Sequence, residues 1–304
     1  CLALAGLQPA MARGAPPPDA RRKLEGIATM VGDAISLNVD IATAGILHHQ
    51  RGAPYPVRHC VNTAIVARLL ALARERPPEE VMAVTSAALT MNLGMLEHHQ
   101  RWHDGGAPFD AAERDRMLAH PERGERLLRE AGVTDHVWLD CVLHHHENED
   151  GTGYPFGKVG AQIPPLAKLV SLADRYCARV SERGYRPPMA ANAALRDILL
   201  EAKTTLHTNL AALLIRELGI YPIGSWVRLI NGEVAVAARR GLQSTTPHVV
   251  SVLGPRGAPL EVFIERDTRV GVYAIREVLA NAQVAALNAP PLRMERIWGP
   301  AAAL

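Results

Sequence analysis

The chain has 304 residues and a formal net charge of +2, long enough for one large domain or two small ones with a real core. Hydrophobic residues make up 48% and charged residues 21%, an ordinary balance for a globular protein. Near-neutral charge, with no basic stripe and no interleaved aromatics, excludes a broad DNA, RNA or membrane surface. Aromatics are only 4%, so Ala, Leu, Val and Ile must fill the core.

Cys1, Cys60, Cys141 and Cys177 form no C-x-x-C pair, which fits a reducing, cytoplasmic compartment. No apolar run is long enough to span a membrane. The chain opens Cys1-Leu2-Ala3-Leu4-Ala5-Gly6 without an initiator Met. A truncated reading frame is expected over a lipidated Cys, and without a charged n-region no signal peptide is read.

Residues 1–18 are rich in Ala, Gly and Pro and read as a flexible lead-in. Residues 19–48 place Leu24, Ile27, Val31 and Ile35 at helical steps, and 19–55 is taken as an N-terminal helical segment. Helices follow at 57–75, through Val61, Ala64, Ile65, Leu69 and Leu72, and at 79–97, through Val81, Val84, Ala88 and Leu89. A polar loop with Gly105, Gly106 and Pro108 comes next, then a capping box from Asp110 to Glu113. Further helices are expected at roughly 134–147, 163–182, 189–202 and 207–218.

The pattern changes at Tyr221-Pro222-Ile223-Gly224. Residues Trp226 to Val236 alternate around Asn231-Gly232, a hairpin signal because both residues tolerate positive φ. Val249–Leu253 and Leu260–Ile264 read as strands, and a last helix is expected through Ile275, Val278, Leu279, Val284 and Leu287. The expected fold is therefore mainly α: a helical bundle over 56–220 and a small β-containing appendix over 221–304. That appendix either packs on the bundle or forms a homodimer contact.

Chemistry concentrates in His144-His145-His146-Glu147-Asn148-Glu149-Asp150-Gly151-Thr152-Gly153-Tyr154-Pro155. Imidazoles are first-choice transition-metal ligands, and the glycines free the backbone for a tight loop. Standing alone, a His triplet is as readily a solvated surface cluster. His59 at a helix start, His120 in His120-Pro121-Glu122-Arg123-Gly124, and Asp174 in an apolar stretch add three positions that suit a helix-lined metal centre. A carboxylate on an apolar face needs a partner.

The run from His145 to Pro155 resembles the HD-GYP signature H-H-E-x-x-D-G-x-G-Y-P. The segment from His120 to Gly124 is similar to that family's H-P-x-x-G. Leu172-Ala173-Asp174 and Arg183-Gly184-Tyr185-Arg186 resemble its A-D and R-x-Y-R segments, all in order between about 57 and 219. The resemblance implies a helical metal-dependent phosphohydrolase that binds two or three metals, often iron or manganese, and hydrolyses cyclic di-GMP. It implies metal ligands at His59, His120, His145, His146 and Asp174, and phosphate contacts from Arg183 and Arg186. It implies Gly153, Tyr154 and Pro155 as a partner loop for a diguanylate cyclase domain.

The departure lies at the defining H-D-x-G-K. Alignment puts Met91 at the His, Asn92 at the Asp and Met95 at the Lys. Asn is a poor substitute for a bridging carboxylate, Met sulfur is too soft for iron or manganese, and Met95 brings no charge to a phosphate. Tyr55 stands where a Glu ligand is sometimes found, and Cys177 where an Asp is frequent. The literal His103-Asp104 pair, with His98 and His99 nearby, is read as part of the solvated loop. The expectation is a degenerate HD-GYP domain holding at most one metal per chain. It would bind cyclic di-GMP or a related nucleotide as a regulatory module, with weak or no hydrolysis. A working phosphohydrolase with a modified site is the alternative.

Overall fold

The computed structural model describes residues 1–48, 53–105, 110–183 and 186–302. Gly106 and Pro108 of the expected loop, and Gly184 and Tyr185 of the R-x-Y-R segment, lie outside the described residues.

The N-terminus corrects the first expectation. Residues Leu2–Ala12 form helix α1 rather than a flexible lead-in, and bury Leu4, Leu7, Gln8 and Met11. Those positions follow three- and four-residue steps, a helical stripe that the Ala/Gly/Pro composition obscured. Gln8 Nε2 donates to the buried Leu89 carbonyl at 3.0 Å and so anchors α1 on the bundle.

Helix α2 spans Ala20–Leu37 and buries Leu24, Ile27, Val31 and Ile35. Helix α3, Val39–Leu47, starts afresh because Asn38 is extended and its Oδ1 accepts from the Asp40 and Ile41 amides, both at 3.0 Å. Helices α4 (Tyr55–Ala73) and α5 (Pro78–Thr90) each begin with proline in the first turn, where a missing N–H costs nothing. Val61, Ala64, Ile65 and Leu69 of α4 are buried, whereas Leu72 lies exposed.

The helix expected at 79–97 ends early. After Thr90 the chain turns through Met91 and Asn92, makes one tight turn at Leu93–Met95, and restarts as α6, Leu96–Asp104. The cause is a backbone contact. A Cβ on Gly94 would lie 2.2 Å from the His120 carbonyl oxygen and 2.7 Å from the Gly124 nitrogen. Only glycine allows that approach. The capping box forms as read: the Glu113 amide donates to Asp110 Oδ1 at 2.7 Å, opening α7, Ala111–Leu118. Then come α8 (His120–Glu130), α9 (His136–His144), α10 (Pro165–Val180), α11 (Ala191–Glu201) and α12 (Thr208–Leu218). One contiguous apolar core, mostly Ala, Leu and Val, runs from Leu4 to Leu218.

Strands β1 (Trp226–Leu229), β2 (Val234–Arg239), β3 (His248–Leu253), β4 (Pro259–Asp267) and β5 (Ile275–Val278) form one antiparallel sheet ordered β4-β3-β2-β1-β5. The β1–β2 turn passes through Gly232 at φ 91°. The last expected helix is corrected: Ile275 and Val278 pair with Leu229 and Val227 of β1, and only Asn281–Ala286 is helical (α13), followed by α14, Met294–Trp298. Strands β1, β2 and β3 are buried on both faces, by Val234, Val236 and Val252 on one and Val227, Leu229 and Val249 on the other, while β4 and β5 are mostly exposed or half-buried. It meets the bundle through His48 Nε2, 2.8 Å from the Gly224 carbonyl, and an Arg240–Asp40 ion pair at 3.1 Å. Among the described residues, no single helix is long and apolar enough to cross a membrane.

Candidate metal centre

His120, His145 and His146 converge. One nitrogen from each lies within 4.8 Å of the others. His120 opens α8, and the Gly94–Gly124 backbone contact seats that helix end. His145 and His146 follow the last turn of α9. His145 Nδ1 donates to the Val142 carbonyl at 2.7 Å, and His120 Nδ1 donates to the Met117 carbonyl. A carbonyl only accepts, so both rings carry their proton on Nδ1 and present a lone pair from Nε2. Those two Nε2 atoms face each other at 3.3 Å.

Burial pushes His120 down to about 3, with His145 adding to the effect. Burial likewise lowers His145 and, with its His neighbours, brings His146 well below the ordinary range. Three neutral imidazoles with converging lone pairs lack a proton to share and fit a single transition cation.

The other two expected ligands, His59 and Asp174, meet each other. His59 on α4 donates from Nε2 to Asp174 Oδ1 on α10 at 2.6 Å, with His59 only 2% exposed. Burial raises the Asp174 carboxyl, but the His59 hydrogen bond outweighs it and holds the carboxyl well below its usual range. Met91 and Asn92 are both buried, and Met95 is half-buried.

The expected solvated loop around His103 is also corrected. His98, His99 and His103 lie on α6, and His99 is buried. The Tyr55 ring stacks on His103 at 3.9 Å and on His59 at 5.3 Å, with His99 edge-on at 5.2 Å. Burial, with His59 and Arg183 contributing, keeps His99 well below its ordinary pKa. The i, i+4 spacing of His99 and His103 was the available signal, masked by the polar composition. Asp104 is exposed, with 62% of its side chain accessible, and its Oδ1 lies 3.9 Å from His103 Nε2 at the rim of the cluster.

Arg183 Nη2 donates to the Tyr55 hydroxyl at 2.9 Å, and its guanidinium lies 5.4 Å from the ring centre. Arg186 turns away, donating from Nη2 to the Ala178 carbonyl at 3.1 Å near the end of α10. The Gly153-Tyr154-Pro155 segment folds back on the cluster. A Cβ on Gly153 would lie 2.4 Å from the Asn148 nitrogen, the Tyr154 amide donates to the His146 carbonyl at 3.1 Å, and the Tyr154 ring stacks on His146 at 4.6 Å.

A helical bundle with a buried histidine cluster contributed by successive helix ends defines the class. Residues 42–210 match the family described as the HD domain, and the chain belongs to that family. Its relatives include phosphodiesterases. The cyclic di-GMP phosphodiesterase PA4108 of Pseudomonas aeruginosa is 29% identical over 77% of this chain and 56% of its own length. The 3'3'-cGAMP-specific phosphodiesterase 3 of Vibrio cholerae is 30% identical over 56% of this chain and 37% of its own. The chain thus spans about half the length or less of these relatives. In fold it is similar to Bd1817, a HDG"Y"P protein from Bdellovibrio bacteriovorus, with TM-score 0.54 and 17% identity over 69% of each chain.

Proposed function

We propose that this chain is a degenerate HD-GYP domain that binds a cyclic dinucleotide, cyclic di-GMP first, and acts as a regulatory module with weak or no hydrolysis. The observation that carries this is the 2.6 Å His59–Asp174 hydrogen bond in a bundle whose Met91 and Asn92 are themselves buried. Two ligands of a would-be first metal satisfy each other where the bridging carboxylate is an amide. The relatives' substrates support the ligand class and, with it, a cytoplasmic site of action.

In this reading His120, His145 and His146 hold one transition metal, iron or manganese by resemblance. When bound, such a metal polarises a phosphoryl oxygen or acidifies a water. Arg183 supplies charge to a phosphate from beside Tyr55, and Arg186 acts on the nucleotide only if it leaves the Ala178 carbonyl. The Gly153-Tyr154-Pro155 loop is the surface for a diguanylate cyclase domain. A bundle ending near residue 220, followed by a separate β appendix, is supported by the distinct apolar clusters on either side of it.

The intact three-His cluster favours one alternative, a phosphohydrolase working with a single metal. Titration with cyclic di-GMP by calorimetry, alongside chromatographic assay of turnover after iron or manganese reconstitution, decides between them. Binding with little turnover is expected. Rapid hydrolysis that is lost in His145→Ala establishes the alternative.

A further inference from the structure

Two of the three clustered imidazoles are oriented by carbonyls. His120 donates to Met117 and His145 to Val142. Among the described residues, no carbonyl receives a hydrogen bond from the His146 ring. Beyond the His145 and His120 rings of the cluster itself, at 4.1 and 5.0 Å, it packs against Tyr154, stacked on it at 4.6 Å with 23° between planes. What holds Tyr154 is the residue after the His pair. Glu147 is 3% exposed, and its two carboxylate oxygens accept from the backbone amides of Phe156 and Lys158, each at 2.8 Å.

A buried carboxylate demands such partners, and charge-assisted bonds to backbone N–H groups are strong. Together with the Tyr154 amide on the His146 carbonyl at 3.1 Å, they fasten the loop at three points to His146 and Glu147. The loop cannot shift without moving the ring that orients His146.

We propose that Glu147 is a positioning residue that holds Tyr154 against His146 and so couples metal affinity at the histidine cluster to the conformation of the Gly153–Lys158 loop. This rests on the reading of His120, His145 and His146 as metal ligands. A partner that displaces the loop would weaken the metal site, and metal loading would rigidify the loop.

The test uses cobalt(II) as a coloured probe, with affinity read by chelator competition and geometry by visible absorption. Glu147→Gln keeps the size but offers one oxygen, and turns an NH2 toward an amide that needs an acceptor. About tenfold weaker binding is expected, the size of effect typical for groups that orient metal ligands, with an altered spectrum. Tyr154→Ala should lose a similar factor, Tyr154→Phe should bind as wild type, and the Glu147→Gln/Tyr154→Ala double variant should lose no more than either single one.

Wild-type affinity and spectrum in Glu147→Gln overturn the proposal, as do losses that multiply in the double variant, or a wild type that binds no cobalt. If circular dichroism shows Glu147→Gln to be unfolded, the Tyr154 pair decides: equal affinity in the Ala and Phe variants overturns it. Cyclic di-GMP binding, measured separately, reports on the functional reading alone.

Discussion

His59 and Asp174, 115 positions apart in the chain, meet Nε2 to Oδ1 at 2.6 Å in the interior of the bundle. A metal bound by both would have to part them, and no third ligand stands ready at Met91 or Asn92. Taking a hydrogen-bond partner from a buried carboxylate costs several kcal/mol unless something replaces it. The histidine cluster has the opposite balance, since its converging Nε2 lone pairs gain a partner when a cation enters.

The purified protein should therefore hold at most one transition metal per chain. Elemental analysis after chelating washes is the check. Two or more stoichiometric metals that survive the washes would show that the His59–Asp174 half opens readily.

Replacing His145 and His146 together with alanine should abolish metal binding. His120 alone is too few ligands for tight binding. The folding cost should be modest, about 1–3 kcal/mol, since His145 is buried but His146 is only half-buried and both sit beside a loop. Metal content and urea midpoints measure both effects. Unchanged metal content would mean that the cluster binds nothing.

Acid should destabilise the metal-free protein early. Burial lowers the His120, His145 and His146 pKa values, and His120 reaches about 3 against 6.5 in the unfolded chain. Below 6.5 the unfolded chain takes up protons that the folded one refuses, so the stability contribution is full above that value and drains away as the pH falls toward about 3. Each uncompensated proton gives a slope of about 1.4 kcal/mol per pH unit. Urea midpoints between about pH 7.5 and pH 4.5 should fall steeply, and less steeply in His120→Gln. Midpoints that rise on acidification contradict this sign.

The parts of the molecule that were legible in the sequence share a local physical signature. His145 and His146 are adjacent, and His120 carries its glycine four residues on, so the cluster came from motif spacing. The Asn231-Gly232 hairpin came from its turn chemistry. The His59–Asp174 pairing has no local signal in the sequence, because the two residues lie 115 positions apart, and it rests on resemblance. Helix α1 was hidden by composition: Leu4, Leu7 and Met11 are buried, but Ala and Gly between them look like a linker. His99 and His103 were hidden by polarity, because a helix whose histidines stack on Tyr55 reads from its residues alone like a loop. Strand β5 was misread because Ile275, Val278 and Leu279 suit either period, and only pairing with β1 decides.

Restoring the lost ligands tests the whole account. Met91→His with Asn92→Asp should raise the metal content from one to two per chain. His and Met are similar in volume, so Met91, fully buried beyond the turn that ends α5, can be exchanged without overpacking. The new carboxylate at the nearly buried position 92 is costly without a cation, because an unpaired buried charge is destabilising by several kcal/mol. The double variant should thus be less stable than wild type without metal, and should gain more in melting temperature when metal is added. Adding Met95→Lys, at a half-buried position, then brings a charge toward a phosphate and should recover measurable cyclic di-GMP turnover. A two-metal centre would stabilise both the attacking and the leaving oxygen, whereas a single metal at the histidine cluster would acidify a water without clamping both. A second metal without turnover would place the remaining defect in the groups that orient the ligands, with Cys177 and Tyr55 the first to exchange for carboxylates. Robust hydrolysis by the unmodified protein, abolished by His145→Ala, would instead show that Met91 and Asn92 are compatible with catalysis, and the degenerate reading would fall.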